Sequence, residues 1–348
     1  MTLQQVSQDS TTVEQAETHS SGQISYNGVV KIMFLVNPAA SSVTPRTRVV
    51  IQKALAADHE VVLAETIRRD HATRITREAA EKLFDVVVVL GGDGTLNEAA
   101  NGLIGSETAL AVLPGGSTNV FARTLGLPDD PVEATGILLE TIENHTPKRI
   151  GLGCVNGRYF LFHAGMGFDA AVVAEVEKRG RLKRYASHAL FVYAAIDTWL
   201  RHYDRKKPAF RIRHDDGSVV PNSKFAICLN TDPYTYLGSK SLNLSPDADL
   251  SRGLVAISIN SLRVNRMLNL VSGAIRGSTA FHNHSYIDYK ADVSNFRVEG
   301  HRPFPYQVDG DYLGEVTSLD FKYTPDVLKL VTPNPTLVGL PEHEKHEY

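Results

Sequence analysis

Apolar runs and amphipathic segments alternate along the first 145 residues of the chain. Short apolar runs predict four strands, at 30–36, 60–65, 86–90 and 109–113. Apolar positions at helical spacing between and after them predict helices at 46–57, 71–84, 95–104, 118–125 and 131–143. Strands that alternate with helices of this length are typical of a parallel sheet covered by helices. The pattern therefore predicts a Rossmann-like α/β domain over residues 29–148.

The pattern changes near residue 148, where short strands follow one another without intervening helices. Asn156-Gly157 separates apolar runs at 148–155 and 158–164, which indicates a hairpin, because this residue pair tolerates positive φ. Further strands are expected at 208–214, 218–230, 253–260, 295–300, 306–309 and 317–323. One helical pattern, at about 184–202, interrupts them. We expect an antiparallel β-sandwich-like domain over residues 149–325, followed by a polar tail at 326–348.

Composition and charge narrow the function classes. The 348 residues are 43% hydrophobic and 22% charged, with a net charge of −3, so no overall basic charge favours nucleic acid. No apolar stretch reaches the roughly 18–20 residues of a membrane span. Residues 1–28 are polar and lack a signal-peptide pattern, so we expect a disordered tail on a cytoplasmic protein. The two cysteines, Cys154 and Cys228, lie in apolar segments and are expected to be reduced thiols.

Two glycine-rich turns each follow a predicted strand and precede a predicted helix. The first is Gly91-Gly92-Asp93-Gly94-Thr95, and the second is Pro114-Gly115-Gly116-Ser117-Thr118-Asn119. Backbone N–H groups and the helix dipole make such a turn a favourable site for phosphate. A carboxylate at Asp93 suits a divalent cation or a sugar hydroxyl beside the phosphates. Parallel strands open at one edge of the sheet, so Asn37 and Thr66, which follow earlier strands, would face the same crevice.

Known nucleotide motifs do not account for these turns. The chain has neither a Walker A sequence nor a Gly-x-Gly-x-x-Gly after its first strand, which disfavours P-loop enzymes and dinucleotide dehydrogenases. A second candidate for chemistry is Asp309-Gly310-Asp311. In a kinase, one such carboxylate accepts the proton of the acceptor hydroxyl, and the other holds Mg²⁺ or orients its partner.

The order of these motifs resembles that of the diacylglycerol kinase catalytic-domain family. The resemblance covers roughly residues 30–325 and is strongest for soluble bacterial lipid kinases, which are similar to sphingosine kinases. The motifs that carry it are Gly91–Glu98, Pro114–Pro128, Gly165-Met-Gly-Phe-Asp-Ala170 and Asp309-Gly-Asp311. The resemblance implies an α/β domain like that of phosphofructokinases and NAD kinases, a β-rich lipid domain, and an active site between them.

The resemblance also implies the site residues. Asp311 or Asp309 would be the proton acceptor, and Asp93 would act on Mg²⁺ through ATP. The residues implied for ATP binding are Asn37, Thr66, Gly91, Gly92, Asp93, Gly94, Thr95, Leu96, Asn97, Glu98, Gly116, Ser117, Thr118 and Asn119. Between Asp309 and Asp311 the sequence does not choose.

Three positions depart from the family pattern. Asp311 stands where the family usually has Glu, so the carboxylate is one methylene shorter. The loop Asn37-Pro-Ala-Ala-Ser-Ser42 lacks the glycine usual after the proline. Arg252 stands where relatives carry a metal-binding Asp, and because a guanidinium cannot ligate a metal, we expect no metal there.

Function is expected to be ATP- and Mg²⁺-dependent phosphorylation of a lipid hydroxyl, with diacylglycerol giving phosphatidic acid. Two alternatives stay open: a kinase for a soluble substrate, of the NAD-kinase type, and an inactive protein that binds nucleotide or lipid. We expect a peripheral protein that visits the membrane without spanning it, since five cations at 178–184 would attract anionic head groups. The sequence leaves the oligomeric state open, including a homodimer.

Overall fold

The computed structural model describes residues 28–178 and 207–333, together with 197–198 and 203–204. The tail expected at 1–28, apart from Gly28, and nearly all of the helix expected at 184–202 lie outside the described residues. So does the cationic run beyond Lys178.

A parallel sheet with helices forms the first half of the chain. The strands are β1 (Lys31–Val36), β2 (Glu60–Glu65), β3 (Val86–Gly91) and β4 (Ala109–Pro114). The helices are α1 (Pro45–Leu55), α2 (His71–Glu81), α3 (Asp93–Leu103), α4 (Val120–Thr124) and α5 (Pro131–Asn144). The strand order is β2-β1-β3-β4, with parallel pairing throughout. Since β3 and β4 are buried at every position, helices must cover both faces. The predicted α/β fold class of this half, a parallel sheet with helices, is confirmed.

Residues with a left-handed backbone shorten two of the predicted helices. One helix ends earlier, and another begins later, than the apolar spacing indicated. Leu83 has φ 54°, so α2 ends at Glu81 rather than 84. Asn119 has φ 50°, so α4 begins at Val120 rather than 118. Periodicity does not report such single-residue turns of the backbone.

The second half is dominated by antiparallel strands. They are β5 (Lys148–Val155), β6 (Arg158–Phe160), β7 (His163–Gly167), β8 (Phe210–His214), β9 (Val219–Ser223), β10 (Phe225–Leu229), β11 (Thr235–Leu237), β12 (Lys240–Leu242), β13 (Leu254–Ile259), β14 (Ile287–Val293), β15 (Asn295–Val308) and β16 (Asp311–Leu330). The helices are α6 (Phe168–Lys178), α7 (Val264–Arg276) and a short 3-10 helix (Ala280–Asn283). The antiparallel strand-rich region expected here is confirmed.

Several boundaries differ from the sequence expectation. The single strand expected at 158–164 is two strands, because the N–H groups of Leu161 and Phe162 donate to the Asp309 side chain. The strands expected at 295–300 and 306–309 form one strand, β15, whose register shifts between Glu299 and Phe304. Residues 326–330, expected to begin a tail, continue β16.

The last strand joins the two halves. β16 pairs antiparallel with β15 and β5, and near its end Leu330 pairs with Leu110 of β4 in parallel. One sheet therefore runs from β2 to β14. Val327, Leu328 and Leu330 pack into the hydrophobic core of the first half. This continuity fixes the β15–β16 turn against the carboxyl edge of the parallel sheet, where the two glycine turns lie.

Candidate active site

The two glycine turns lie against each other at the carboxyl ends of β3 and β4. The Gly115 N–H donates to Gly91 O at 2.9 Å. A Cβ added to Gly115 would lie 2.7 Å from Gly91 N, and one added to Gly116 would lie 2.8 Å from Gly92 Cα. Side chains at these positions would force the backbones apart. The glycines are thus required by the contact between the turns, and the two turns form one continuous backbone surface.

Asp93 connects the first turn to the helix that follows the second. It is the first residue of α3, and its carboxylate accepts the N–H groups of Val120 at 3.1 Å and Phe121 at 3.2 Å. Burial raises the pKa of Asp93, these N–H groups oppose the rise, and the nearby charge of Asp311 adds to it. Each carboxylate oxygen accepts one of these N–H groups, so Asp93 aligns the start of α4. Both oxygens can still accept further hydrogen bonds.

Asn119 shapes the second turn from within. Its side-chain oxygen accepts the Gly116 N–H at 2.7 Å, and its amide nitrogen donates to Gly116 O at 3.0 Å. Its left-handed backbone lets the chain reverse into α4, a conformation that Asn tolerates. Ser117, at the tip, is exposed, and Thr118 is half-buried. The turn is therefore rigid at its base and open at its tip.

The loop after β1 also reaches the turns. The Asn37 amide donates to Thr95 Oγ1 at 2.8 Å. Ser42 donates through its N–H to Gly115 O at 2.9 Å and through its hydroxyl to Gly116 O at 3.0 Å. Ser41 stands at the position of the family's glycine, and the next residue, Ser42, attaches the loop to the second turn. Thr66, buried after β2, donates its N–H to Val36 O at 2.9 Å, next to Asn37.

Asn97 is a buried residue on α3 whose side chain forms hydrogen bonds with the second half of the chain. Its amide nitrogen donates to Asp309 Oδ2 at 2.7 Å and to Tyr159 O at 2.9 Å. Its oxygen accepts from Arg158 Nη2 at 2.8 Å and Nε at 3.1 Å. Asn101, one turn later, pairs with the backbone of Tyr159 in both directions. These contacts hold β6 against α3.

Asp309 is buried at 3% exposure and surrounded by donors. Its Oδ2 accepts from Leu161 N and Asn97 Nδ2, both at 2.7 Å. Its Oδ1 accepts from Phe162 N at 3.0 Å and His163 N at 3.1 Å. Burial raises the pKa of Asp309 to about 6, against the lowering effect of the four donors. All four acceptor positions of the carboxylate are therefore engaged within the protein.

Asp311, two residues later, faces the first glycine turn. A Cβ on Gly94 would lie 2.8 Å from Asp311 Oδ2, so only a glycine leaves room for this approach. Asp311 Oδ1 lies 3.5 Å from Arg69 Nη2, and the Asp311 side chain is 20% exposed. Arg69 also lies 3.4 Å from Glu177 Oε1, which accepts the Tyr312 N–H at 3.2 Å. The cleft thus brings together the loop after β2, the end of α6 and the β15–β16 turn.

Two of the predicted positions have local structural contacts. Leu96 is buried and packs in the first hydrophobic core. Glu98 Oε2 accepts the Ala72 N–H at 3.2 Å, at the start of α2, and the Glu98 carbonyl accepts the Thr73 hydroxyl at 2.8 Å. Both side chains therefore support the helices that carry the turn.

A second buried carboxylate lies behind the β15–β16 turn. Asp169 accepts the Tyr234 hydroxyl and, at 2.8 Å, the Gln307 amide. A Cβ on Gly165 would lie 1.6 Å from Asp169 Oδ2, which explains a glycine in the 165–170 motif. Burial raises the pKa of Asp169. Gln307 also accepts the Gly310 N–H at 2.9 Å, so this network supports the turn that carries Asp311.

Metal ligands are sparse in the described part of the chain. It holds no cluster of three or more His, Cys, Asp or Glu side chains suited to a metal ion. At the site of the family's metal-binding Asp, Arg252 lies 3.5 Å from Asp247 Oδ1. The charge of Asp311 raises the pKa of Asp93, and this mutual repulsion of the two carboxylates favours a cation close to both. Phosphate oxygens and water would have to complete the coordination of such a cation.

Sequence reasoning missed Arg69, Glu177 and Arg158 as parts of the site. Arg69 follows Thr66 by three residues in the loop after β2, so its place at the carboxyl edge could have been found from that position. Glu177 lies on α6, which the sequence analysis did not predict. Arg158 reaches Asn97 only because the β5–β6 hairpin packs on α3.

Comparison with known proteins agrees with the geometry. Residues 31–155 match the family described as the diacylglycerol kinase catalytic domain. A diacylglycerol kinase of Bacillus subtilis (strain 168) is 39% identical over 120 residues, which are 34% of this chain and 39% of that protein. The chain spans less than half the length of the first curated relatives it matches. The resemblance expected from the motifs is confirmed over residues 31–155, which match this catalytic domain.

Solved structures share the fold at low identity. A putative diacylglycerol kinase from Bacillus anthracis str. Sterne superposes with a TM-score of 0.69 at 22% identity, covering 88% of this chain and 98% of that chain. An NAD kinase from Archaeoglobus fulgidus in complex with ATP gives 0.51 at 14% identity, covering 89% and 96%. These likenesses confirm the expected fold class.

Proposed function

We propose that this chain, whose residues 31–155 match a diacylglycerol kinase catalytic domain, transfers the γ-phosphoryl group of ATP to a lipid hydroxyl, with diacylglycerol as acceptor. One observation carries the proposal. The carboxylate of Asp311 approaches the first glycine turn so closely that a Cβ at Gly94 would lie 2.8 Å from Asp311 Oδ2. A candidate base and a candidate phosphate cradle therefore meet at one point.

The nucleotide phosphates would lie over the surface formed by the two turns. The first N–H groups of α3 have no acceptor within the helix, and the helix dipole adds partial positive charge there. Gly92 and Gly94 place no side chain over the backbone at the start of α3. Asn37, Thr95 and Thr118 supply polar groups beside it. This arrangement favours an anion and places it next to Asp311.

Asp311 would be the proton acceptor. It is partly exposed and reaches the cleft, as a base must if it is to touch the acceptor hydroxyl. As the hydroxyl oxygen bonds to the γ-phosphorus, its proton passes to Asp311 and the bond from phosphorus to the bridging oxygen breaks. ADP leaves with that oxygen, and the lipid keeps the phosphoryl group. Positioning and charge neutralisation supply most of the catalysis in such transfers.

Asp309 would position this base. Its four donors come from the β6–β7 connection and from Asn97 on α3, so it holds the β15–β16 turn against the nucleotide domain. A carboxylate with every acceptor position engaged has none left for a substrate proton. Of the two carboxylates that the sequence left open, we therefore assign the base to Asp311.

Mg²⁺ fits the cleft as a partner of ATP. Asp93 keeps acceptor capacity, and Asp311 adds a second negative charge beside it. A bound Mg²⁺ would neutralise phosphate charge that develops during transfer. Asp93 would bind it directly or through water. Arg69, which contacts Asp311, would partly neutralise the remaining negative charge.

The acceptor assignment is tested with purified protein, Mg²⁺ and ATP labelled in the γ-phosphate. We expect label in the lipid fraction with diacylglycerol in mixed micelles, and none in the nucleotide product when NAD replaces the lipid. Label transferred to NAD would identify a soluble-substrate kinase, which the likeness to the NAD kinase fold keeps as second candidate. ATP binding without transfer to any lipid in an extract would mean a binding protein.

A further inference from the structure

Helix α7 has an apolar face that the rest of the described chain covers only in part. Leu270 and Ala274 are buried, and Met267 packs beside them. Four further apolar side chains are exposed, at 52% for Val264, 63% for Leu268, 43% for Val271 and 41% for Ile275. At 3.6 residues per turn these four fall within a sector of roughly 60°, directly beside the buried face. They form one continuous stripe, which we call the α7 stripe.

The chain segment that carries the α7 stripe has charges of one sign. Residues 250–287 contain four arginines and no Asp or Glu, although the whole chain has a net charge of −3. Arg263, Arg266 and Arg276 lie on α7 or directly before it, and none forms an ion pair with a described residue. Arg266 lies on the side of the helix opposite the stripe, over the ring of Tyr286, at 4.8 Å from its centroid. Arg263 and Arg276 are exposed at the two ends of α7, and an apolar stripe with a cation at each end is complementary to an anionic lipid surface.

A second copy of the chain fits the stripe less well. A two-fold interface would bring the same surface of both copies together, and so would place these arginines opposite each other. Like charges across an interface are unfavourable. A bilayer containing anionic lipid receives the apolar side chains in its interface and the guanidinium groups at its head groups.

The helix is connected to the candidate active site through one hairpin. The Asn243 N–H, just after β12, donates to Ala274 O at 3.0 Å on α7. At the other side of the hairpin, Tyr236 on β11 lies under the guanidinium of Arg123, at 3.7 Å from its ring centroid. Arg123 belongs to α4, whose first N–H groups bind Asp93. The β11–β12 hairpin thus connects α7 to the helix that follows the second glycine turn.

We propose that the α7 stripe docks this protein on anionic membrane surfaces and so brings the cleft to a lipid acceptor held in the bilayer. The docking itself needs no nucleotide, but its benefit to catalysis rests on the function proposed above. Among the described residues no helix could cross a membrane. Docking of this kind would supply contact with the bilayer through a helix that lies in its plane.

The test compares two paired substitutions in the full chain. Leu268→Gln with Val271→Gln changes the stripe, and Val49→Gln with Val50→Gln changes two helix residues of comparable exposure on α1, at 42% each. Sedimentation uses phosphatidylcholine vesicles with and without phosphatidylglycerol, in the absence of ATP. We expect the wild type and the α1 pair to bind only when phosphatidylglycerol is present. The stripe pair should bind about tenfold more weakly or worse, since two apolar side chains no longer enter the interface.

Two further measurements distinguish a failure of the docking proposal from a failure of the proposed function. Arg263→Gln with Arg276→Gln should weaken vesicle binding and flatten its dependence on salt. Turnover on a short-chain, monomeric diacylglycerol should be the same for the wild type and the stripe pair, whereas turnover on vesicle-borne diacylglycerol should fall for the stripe pair. Loss of vesicle binding in the stripe pair, with no kinase activity in any variant, would support docking and reject the proposed function.

Other outcomes would overturn the docking proposal. Unchanged vesicle binding by the stripe pair does so while leaving the kinase assignment intact. A wild type that is dimeric by sedimentation equilibrium, with a monomeric stripe pair, would identify a second copy as the occupant and also reject the membrane.

Discussion

Gly94→Ala should separate stability from catalysis in this protein. Gly94 is in the first turn of α3, where alanine is the better helix former by up to about 1 kcal/mol. The new Cβ would lie 2.8 Å from Asp311 Oδ2, and an ordinary contact begins at 3.4 Å, so the carboxylate must retreat by about 0.6 Å. Misplacement by about 1 Å can cost a hundredfold in rate. We expect kcat to fall about ten- to a hundredfold while the free energy of unfolding stays equal or rises.

Gly136→Ala is the matched control, because Gly136 lies within α5 and a Cβ there would meet nothing within 4 Å. It should raise stability by up to about 1 kcal/mol with no change in kcat. The assay is ATP-dependent phosphorylation of diacylglycerol, with urea denaturation of the same samples. The KM for ATP distinguishes a displaced base from a blocked phosphate site. A Gly94→Ala enzyme with wild-type kcat would refute the claim that Asp311 acts from its position against the turn.

Three further substitutions test other parts of the account. Asp309→Asn leaves two of the four surrounding donors without an acceptor in either amide orientation. Urea denaturation should therefore show a loss of about 2–5 kcal/mol in the free energy of unfolding, and a loss below about 1 kcal/mol would contradict the anchoring role. Gly115→Ala places a Cβ 2.7 Å from Gly91 N. Calorimetry should show weaker ATP binding, and urea denaturation should show a loss of about 1–3 kcal/mol in the free energy of unfolding. Unchanged ATP affinity would mean that the turns need not touch. Burial raises the pKa of Asp232 from 3.8 to about 6, so the stability it contributes is fully present below pH 3.8 and is lost as pH rises through 6. Asp232→Asn keeps the acceptor oxygen for Leu244 and Ser245 and cannot ionise, so it should lose less stability than the wild type between pH 4 and 7, by up to about 3 kcal/mol; parallel pH profiles would contradict this.

Local patterns predicted most of the parallel domain and the position of the glycine turns. The apolar strands β3 and β4 and the glycines after them are local features, and parallel topology then brings their ends together. The motifs also placed Asp93, Asn97 and Asp311 in one cleft. The roles of these residues depend on long-range packing. Asp93 caps α4, which begins 27 residues later, and Asp309 accepts N–H groups about 150 residues earlier in the chain.

Other features gave little local signal. Helix α7 was missed, although its apolar spacing is regular, and the sequence does not say how much of its apolar face the protein covers. Helix α6 begins directly after β7 at Gly167, whose φ is 73°, and no polar linker separates the two elements. The position of Arg69 after β2 does indicate the carboxyl edge of the sheet, but its contact with Asp311 depends on the folded chain.

The most direct test of the central claim is single-turnover transfer of the γ-phosphoryl group from ATP to diacylglycerol by the wild type, Asp311→Asn and Asp311→Glu. Removing a general base typically costs about 10²–10⁴-fold. We expect Asp311→Asn to bind ATP normally and to transfer more slowly by about this factor, and Asp311→Glu, with the residue usual in the family, to keep much of the rate. Transfer by Asp311→Asn at the wild-type rate would contradict the account.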